Sequence, residues 1–300
     1  MDPLAATALA PSPLGETLER VLREADPTAA LSRDPVRFAR AWTRPEDQAM
    51  VGLFAALLAY GRVELIGRAL TEASRRMGPE PAQAATTDTR EAALARFDGF
   101  VYRLTRGPDL ARLWLGVGAV LRSGRTLEAV FVEADVPGAP DLRGALSGFR
   151  RTLLAPTADF PARRAFEHFF PDPARHSATK RLWLYLRWMV RGPDRIDLGL
   201  WTQVSPARLT MPVDTHIHRL ATYLGLTSRP GADARTAAEI TAALRHIDPA
   251  DPVRFDFALT HLGISGACER RRVPAICDAC PLTRVCRLTP EGTVQKIARV

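Results

Sequence analysis

Long hydrophobic runs are absent from this 300-residue chain. The longest nearly uninterrupted run, residues 50–60, is well short of the ~20 residues that a membrane-spanning helix needs, so we predict no membrane span. The first residues lack the basic region of a secretory signal, and we expect a cytoplasmic protein. Apolar residues still make up 46% of the composition. This share excludes disorder as the main state and is enough for one large core or two smaller ones.

Cysteine is absent from the first 267 residues, and all four cysteines follow within a short stretch. Their order is Cys268-x8-Cys277-x2-Cys280-x5-Cys286. A disulfide framework spreads its pairs along a chain, so this clustering indicates a metal site instead. Structural zinc sites usually take two close-spaced cysteine pairs, whereas this loop has one, which favours a [4Fe–4S] cluster over zinc. Zinc and unligated thiols stay open as alternatives.

Lysine is nearly absent as well, since only Lys180 and Lys296 are found among the 41 basic residues. Where only positive charge is needed this chain uses arginine, so an internal lysine indicates a task that arginine cannot perform. A desolvated lysine amine loses its proton and attacks carbon, whereas a guanidinium stays protonated. Lys180 is therefore a candidate nucleophile, and chance retention of a lysine is the alternative.

The excess of basic residues gives a formal net charge of +8 and a pI near 10.0. This balance favours a polyanionic partner such as nucleic acid, although arginine enrichment through GC-rich coding explains it equally simply. Arg270, Arg271 and Arg272 lie between the first two cysteines. A loop held by a metal loses little entropy on binding, so these arginines are candidate contacts to DNA phosphates. The alternative is a solvated basic loop.

Apolar residues recur with a helical period along most of the chain, and strand-like alternation is scarce. The sequence therefore predicts an all-α protein, with residues 131–134 ambiguous between helix and strand. Thr43 and Glu46 form a capping-box pattern that predicts a helix ending at Leu58. Residues 180–191 are apolar around most of a helix, as expected at the centre of a helical domain. Stretches rich in Pro, Gly and Asp predict loops, namely 78–88, 133–141 and 227–235.

Asp214 precedes a helical pattern in the segment 211–219, which reads MPVDTHIHR. Its simplest role is to cap that helix, and the functional alternative is an active-site carboxylate. His216 and His218 are two residues apart, so on a helix they point about 200° away from each other and cannot bind one ion. Only a strand would bring them together on a second metal site.

The segment PVDTHIHRLATYLGL, followed about fifty residues later by the four-cysteine loop, resembles the helix-hairpin-helix DNA glycosylase superfamily, specifically its endonuclease III branch. The segments AALLAYGRVELI, KRLWLYLRWMVR and DFALTHLGISGACERRR are closer still to an uncharacterised bacterial family of endonuclease III-like iron–sulfur proteins. This narrower resemblance covers roughly residues 14–290.

The resemblance implies an architecture of two helical lobes with DNA crossing between them. One lobe is a helical barrel over residues 47–191, and the other is an iron–sulfur domain that joins 1–46 to 192–300. The resemblance also implies that Asp214 is catalytic and that a [4Fe–4S] cluster is held by Cys268, Cys277, Cys280 and Cys286.

The resemblance further implies a pocket for a flipped base. Tyr60, Gly61 and Arg62 would occupy the turn that borders the gap left by that base, with Arg62 stacking in the gap or filling it. Tyr102 would line the pocket itself. A solvated Arg62 and a tyrosine that belongs to the core are the alternatives.

The chain departs from the superfamily at the hairpin. That hairpin normally carries glycines whose backbone amides approach a DNA phosphate, and its lysine lies closer to the aspartate. Here residues 173–180 contain no glycine, and Lys180 is 34 residues before Asp214. Archaeal 8-oxoguanine glycosylases of the superfamily also have a longer separation, so Lys180 stays the candidate nucleophile. Ser177 and Arg181, at the start of the next helix, are candidate phosphate contacts in place of the lost glycines.

These features predict a monomeric, nucleoid-associated DNA N-glycosylase, with or without AP-lyase activity. Its partner would be double-stranded DNA containing a damaged base or an abasic site. The enzyme would flip the base out of the duplex, and Lys180 would attack C1′ of the sugar with the assistance of Asp214. One alternative is a non-catalytic iron–sulfur protein that binds abasic or branched DNA. Another is a zinc-loop scaffold or a metal hydrolase built on the Asp214 segment.

Overall fold

The computed structural model describes residues 12–175, 177–264 and 268–295. The helices are α1 (Pro13–Glu24), α2 (Pro27–Leu31), α3 (Val36–Arg40), α4 (Pro45–Leu58), α5 (Val63–Met77), α6 (Pro81–Thr87), α7 (Arg90–Arg96), α8 (Gly107–Arg122), α9 (Leu127–Glu133), α10 (Arg143–Leu154), α11 (Arg164–Phe169), α12 (Lys180–Val190), α13 (Thr215–Leu224), α14 (Ala234–Arg245), α15 (Asp256–Ile264) and α16 (Pro274–Cys277). Strands β1 (Val101–Tyr102) and β2 (Thr105–Arg106) form a short antiparallel hairpin. Within these residues the chain is mostly helical, which confirms the all-α prediction.

The chain divides into two compact units. The terminal unit joins Met1–Asp26 to Thr210–Val300, and the middle unit is Pro27–Leu209. The predicted barrel lobe, 47–191, lies inside the middle unit, which extends further at both ends because α3 packs against α4 and the backbone of residues 198–201 bonds to the end of α12.

The core of the middle unit is built around α4, α8 and α12. α12 packs against α4, and every residue from Leu182 to Val190 is buried, as its apolar circumference predicts. α8 packs closely against neighbouring backbone at two glycines: a Cβ on Gly116 would lie 1.9 Å from the Leu153 carbonyl oxygen, and one on Gly118 would lie 2.0 Å from that of Ala85. Only glycine permits such contact, so these positions fix how α8 packs.

Two local predictions for the middle unit are wrong, and a third position that the sequence left open proves to be helical. The stretch 78–88 contains the helix α6, which packs against α8 through its small side chains. The ambiguous residues around Phe131 belong to the helix α9, because Phe131 is buried against Phe149 and Trp201. The N-cap of α4 is Arg44 and not Thr43, since Pro45 takes the first helical position, which its fixed φ favours.

The core of the terminal unit forms where α1, α13, α14 and α15 meet. Its buried residues include Leu18, Ile217, Leu220, Ile240 and Phe255. Cys268, Cys280 and Cys286 are packed against this core, so the cysteine loop belongs to the packed part of the unit. Across the described residues, no helix combines the length and apolar content needed to cross a membrane.

Candidate functional site

The four cysteines line one cavity of the terminal unit. Each of them is half-buried. The wall of the cavity is mainly apolar, with side chains of α13 on one side and of the cysteine loop on the other. Among these wall residues are Leu220, Tyr223, Leu224, Ile276, Leu282 and Leu288. All four cysteine residues thus border one cavity, although they are spread over nineteen sequence positions.

Short backbone turns set the positions of the thiols. The N–H of Cys277 donates to the Val273 carbonyl at 2.7 Å, and the N–H of Cys286 donates to that of Leu282 at 2.9 Å. Backbone N–H groups also reach sulfur, since that of Val273 lies 3.4 Å from Cys277 Sγ. Burial raises the pKa of Cys280 and Cys286, and the neighbouring thiols raise it further, while backbone hydrogen bonds oppose the shift.

The chemistry of this donor set fits a thiolate-bound metal group. Four thiols around one apolar cavity are the ligands that both [4Fe–4S] clusters and zinc take. Backbone N–H donors to sulfur are the outer contacts that tune such groups. In the described segments, no three Cys, His, Asp or Glu side chains form a group that could hold a single ion. The cysteines therefore match such a donor set by number and partial burial, but they are not gathered into a metal-holding group in the described residues.

The three arginines of the cysteine loop differ in their surroundings. Arg270 and Arg271 are exposed. Arg272 is half-buried and lines the cysteine cavity. Its guanidinium lies 3.4 Å from Thr283 Oγ1 and 3.9 Å from the Asp278 carboxylate. The Arg272 guanidinium therefore contacts other residues of the cysteine loop, while Arg270 and Arg271 present their charge to solvent.

Asp214 caps α13, as its position in the sequence predicts. Its Oδ1 accepts hydrogen bonds from the N–H groups of His216 and Ile217, at 2.8 and 2.9 Å. The helix ends at Gly225, whose φ of 72° is left-handed. Between these ends α13 contributes Leu220, Tyr223 and Leu224 to the cysteine cavity. The helix that starts at Asp214 and the cysteine loop are thus parts of one packed structure.

The two histidines of this segment have different partners. His216 Nδ1 lies 2.9 Å from the Gly263 carbonyl oxygen, and His218 Nε2 lies 2.8 Å from that of Arg229. Each ring is oriented by a different part of the backbone. This agrees with the expectation that two positions apart on a helix do not share one ion.

Lys180 is the first residue of α12 and is half-buried. The connection from α11 contains a turn at Thr179, whose φ is 42° and ψ 40°. The exposed Ser177 hydroxyl accepts a hydrogen bond from the Thr179 N–H at 3.3 Å, and His176 lies outside the described residues. The region of the predicted hairpin thus consists of α11, α12 and a connection without glycine. Thr179, in the left-handed conformation, makes the turn in this connection. No sequence pattern signalled that turn.

The predicted base-pocket residues come together in the middle unit. The Tyr60 hydroxyl donates to the Tyr102 carbonyl at 3.1 Å and lies 2.8 Å from Thr105 Oγ1. The Tyr102 hydroxyl donates in turn to the Tyr60 carbonyl. Gly61 has a φ of +104°, and a Cβ there would lie 3.0 Å from the Tyr102 hydroxyl. The turn and the β1–β2 hairpin are therefore joined by reciprocal hydrogen bonds.

Arg181 and His168 complete what we call the Tyr60 cluster, which comprises Tyr60, Gly61, Tyr102, His168 and Arg181. The Arg181 guanidinium donates to the carbonyls of Leu57, Phe169 and His168 and lies 4.9 Å from the centre of the Tyr60 ring. The His168 ring packs edge-on against Tyr60. Sequence reasoning missed His168, because an isolated histidine at the end of a short helix carries no pattern.

Arg62 lies at the edge of the Tyr60 cluster. It precedes α5 as its N-cap residue, and 82% of its side chain is exposed. Its guanidinium nitrogen is 4.0 Å from the Glu64 carboxylate, a separation at which an exposed pair contributes little. The side chain is therefore accessible to a ligand.

Comparison with known proteins gives one match. Residues 34–265, more than two thirds of the chain, match the sequence model of a family described as "Protein of unknown function (DUF2400)". The matched range ends just before the cysteine loop. No curated protein and no solved structure matches the chain.

Proposed function

The chain belongs to the DUF2400 family, and we propose that it is a DNA base-excision repair glycosylase. The observation that carries the proposal is the contact between α13 and the cysteine cavity. The Val-Asp-Thr segment and the cysteine loop are separate in sequence, and the resemblance to endonuclease III rests on both. Their packing in one unit supports the proposal, because the helix that follows the Val-Asp-Thr segment lines the cysteine cavity through Leu220, Tyr223 and Leu224.

The Tyr60 cluster is the proposed pocket for the flipped base. A glycosylase must extrude its target because the sugar C1′ is shielded inside the duplex. The half-buried Tyr60 ring is suited to stack on a base, while Tyr102 is buried and both tyrosine hydroxyls are engaged within the cluster. Arg62 is the proposed side chain that enters the gap in the duplex, since it is exposed beside this pocket.

Lys180 is the proposed nucleophile. Its neutral amine forms a bond to C1′ as the glycosidic bond breaks, and the bonding electron pair leaves with the base, which takes up a proton. Opening of the sugar ring then gives a Schiff base. In the lyase reaction, loss of a proton from C2′ expels the 3′ phosphate by β-elimination. Arginine cannot replace Lys180 here because it stays protonated.

Asp214 is the proposed carboxylate of the reaction. An oxocarbenium-like sugar carries positive charge, which a fixed carboxylate stabilises. Oδ1 is held by two backbone N–H groups, so the carboxylate is oriented before substrate binds.

We propose Cys268, Cys277, Cys280 and Cys286 as ligands of a [4Fe–4S] cluster. When bound, the cluster supplies a rigid tie for the loop and a centre able to exchange one electron. The exposed Arg270 and Arg271, together with Ser177 and Arg62, are the proposed DNA contacts. Arg181 and Arg272 are left out of this set, because their guanidinium groups are engaged within the fold.

A lesion screen tests the proposal. Purified protein is incubated with duplexes that carry one oxidised, alkylated, deaminated or abasic site, and strands are resolved before and after alkali. We expect base release from at least one duplex, and loss of that release in Asp214→Asn. Thr215→Ser, the neighbouring exposed position, is the matched control and should retain activity. Absence of base release from every duplex would contradict the proposal.

A second candidate, a non-catalytic protein that binds abasic or branched DNA, is favoured by the capping geometry of Asp214. Its two hydrogen bonds to backbone N–H groups are what a purely structural cap would also make. This candidate predicts tight binding to abasic duplex without strand products. It also predicts that Asp214→Asn, which keeps a capping oxygen, leaves DNA affinity unchanged.

A further inference from the structure

An open groove of about 750 Å³ lies between α3 and α5 in the middle unit. Arg33 and Arg37 line one side, and Arg68 lines the other. All three arginines are exposed. The surface between them includes apolar side chains such as Phe38 and Ile66, so the groove has a partly apolar floor and a basic rim.

Three arginines and two carboxylates, Glu64 and Glu72, line this groove, so its lining keeps a net positive charge. Glu72 is paired with arginines of its own helix, whereas the contact between Glu64 and the exposed Arg62 is too long to neutralise either charge. Glu64 lies 4.0 Å from Arg62, and Glu72 accepts hydrogen bonds from Arg75 and Arg76 at 2.6 to 2.9 Å. Among the residues that the structure describes, no carboxylate lies within ion-pair distance of the three groove arginines.

One of these arginines is already oriented. The Arg37 guanidinium lies over the Phe38 ring, 4.6 Å from its centre. On the facing helix is Gly67, where a Cβ would lie 3.5 Å from Arg37 Nη2, so a longer side chain there would crowd the guanidinium. A guanidinium fixed on a ring loses less conformational freedom when it binds an anion.

The groove adjoins a second groove that reaches one residue of the candidate base pocket. A second groove of about 410 Å³ lies on the other side of α5 and shares Arg68 and Glu72 with the first. Its lining includes Arg103 and Tyr102 of the β1–β2 hairpin, and Tyr102 belongs to the Tyr60 cluster. Basic side chains therefore lead from α3 across α5 to the proposed position of the flipped base.

We propose that Arg33, Arg37 and Arg68 bind the phosphodiester backbone of DNA beside the lesion. Guanidinium groups match phosphate oxygens in charge and in the geometry of two parallel hydrogen bonds. The proposal rests on the proposed function, because the line of basic side chains that ends at Arg103, beside Tyr102 of the Tyr60 cluster, is what selects DNA over an acidic protein. These arginines would position the duplex without reading its sequence.

The test compares two triple variants that remove the same charge. The groove variant is Arg33→Gln/Arg37→Gln/Arg68→Gln. The control is Arg151→Gln/Arg164→Gln/Arg195→Gln, three exposed arginines that line neither groove. Binding of a fluorescein-labelled 30-base-pair duplex, undamaged or with one tetrahydrofuran abasic analogue, is measured from about 50 to 200 mM salt, the range over which salt weakens binding to phosphates most clearly. Thermal unfolding confirms that both variants fold.

We expect the groove variant to bind both duplexes about tenfold or more weakly than the wild type. Its salt slope should fall by about 3, because each removed arginine leaves one DNA phosphate without its cation. The control should change the slope by less than about 1. Equal slopes in the two variants would overturn the proposal. Binding of polyglutamate is measured in the same way. If the groove variant loses polyglutamate binding and keeps its DNA binding, the proposal is overturned and the groove is assigned to an acidic protein.

The outcomes separate this proposal from the proposed function. DNA binding that depends on the groove, without base release from any lesion, would retain the groove and reject the glycosylase. Base release by the wild type, together with wild-type DNA affinity in the groove variant, would retain the glycosylase and reject the groove as a DNA-binding surface. A wild-type protein that binds neither duplex would reject both.

Discussion

At the scale of single residues, His168 gives the Tyr60 cluster a response to pH. Burial lowers the pKa of His168 below its usual value of about 6.5, and the charges of Arg181 and Arg103 lower it further. The folded protein therefore holds this ring neutral, while the unfolded chain takes up a proton first as pH falls. The stability linked to the neutral ring is therefore complete above the unfolded pKa and is lost progressively as pH falls from that value through the lower folded pKa.

We expect the free energy of unfolding to decrease from pH 7 to pH 5, and to decrease less in His168→Gln. Urea denaturation at several pH values measures both. His246→Gln is the control, because His246 is exposed at the end of α14 and should leave the pH dependence unchanged. If the free energy of unfolding depends on pH equally in the wild type and in His168→Gln, the lowered pKa of His168 is contradicted.

The most deeply buried charges of the middle unit are those around Asp197. Its carboxylate is fully buried, lies 3.1 Å from Arg187 and also pairs with Arg191, and the Arg187 side chain is only 2% exposed. Removing one partner of a buried ion pair leaves an uncompensated charge. We therefore expect Asp197→Asn to lower the free energy of unfolding by about 3–5 kcal/mol.

The surface ion pair of Asp159 and Arg90 is the matched control, since the Asp159 side chain is 67% exposed. Asp159→Asn should cost no more than about 1 kcal/mol. Chemical denaturation of the two variants gives the comparison. Equal losses would show that the Asp197 network contributes no more than a surface pair.

Sequence patterns predict a residue's role when that role is local. The capping role of Asp214 depends on the next three residues, so the sequence predicts it and the structure confirms it. The role of Arg181 depends on carbonyls such as Leu57, 124 positions away. One arginine resembles another in sequence, and only tertiary packing distinguishes Arg181 from the exposed Arg62 and Arg68.

At the scale of elements, glycine fixes the approach of α6 to α8. A Cβ on Gly118 would lie 2.0 Å from the Ala85 carbonyl oxygen and 2.7 Å from its carbonyl carbon. Backbone cannot move aside as a flexible side chain does. Gly118→Ala should therefore push the two helices apart and lower the free energy of unfolding by at least about 2 kcal/mol.

Gly144→Ala is the matched control, because nothing lies within 4 Å of its added Cβ. Alanine is a better helix former than glycine, so this variant should be neutral or gain up to about 1 kcal/mol. Both changes are measured by thermal or urea unfolding. Equal effects at the two positions would contradict the close packing of α8.

Helices whose apolar residues recur with a strong helical period were predictable from the sequence, and helices with a weak period were not. The pattern of α12 predicts a buried helix, and α12 is one. α6 has the sequence PAQAATT, whose small side chains show little periodicity and whose proline suggests a loop. It forms a helix because Ala82 and Ala85 are buried in the unit, an arrangement that depends on glycines of α8 far along the chain.

At the scale of the whole molecule, the cysteine cavity predicts a spectroscopic property. Protein purified without oxygen should be brown, absorb near ~400 nm and contain about four irons and four sulfides per chain. Cys286→Ser should lose this absorbance, whereas Thr283→Ser, which changes a non-thiol residue of the same cavity, should keep it. Colourless protein with one zinc per chain would contradict the [4Fe–4S] proposal.

The sequence predicted the fold class and the helical pattern of the middle unit. The barrel lobe expected over 47–191 lies inside that unit, and the flanking segments 27–40 and 192–209, which carry weak patterns, join it through packing and backbone hydrogen bonds. The family match covers the middle unit almost completely. The activity remains a proposal, and it depends most on the chemistry of Lys180.

Borohydride trapping tests that chemistry most directly. Each lesion duplex is incubated with protein and sodium borohydride, which reduces a Schiff base to a stable covalent complex that is resolved on a denaturing gel. We expect a complex between the wild-type protein and at least the abasic duplex, and none with Lys180→Gln. A complex of equal yield in Lys180→Gln, or no complex with any duplex, would contradict this expectation.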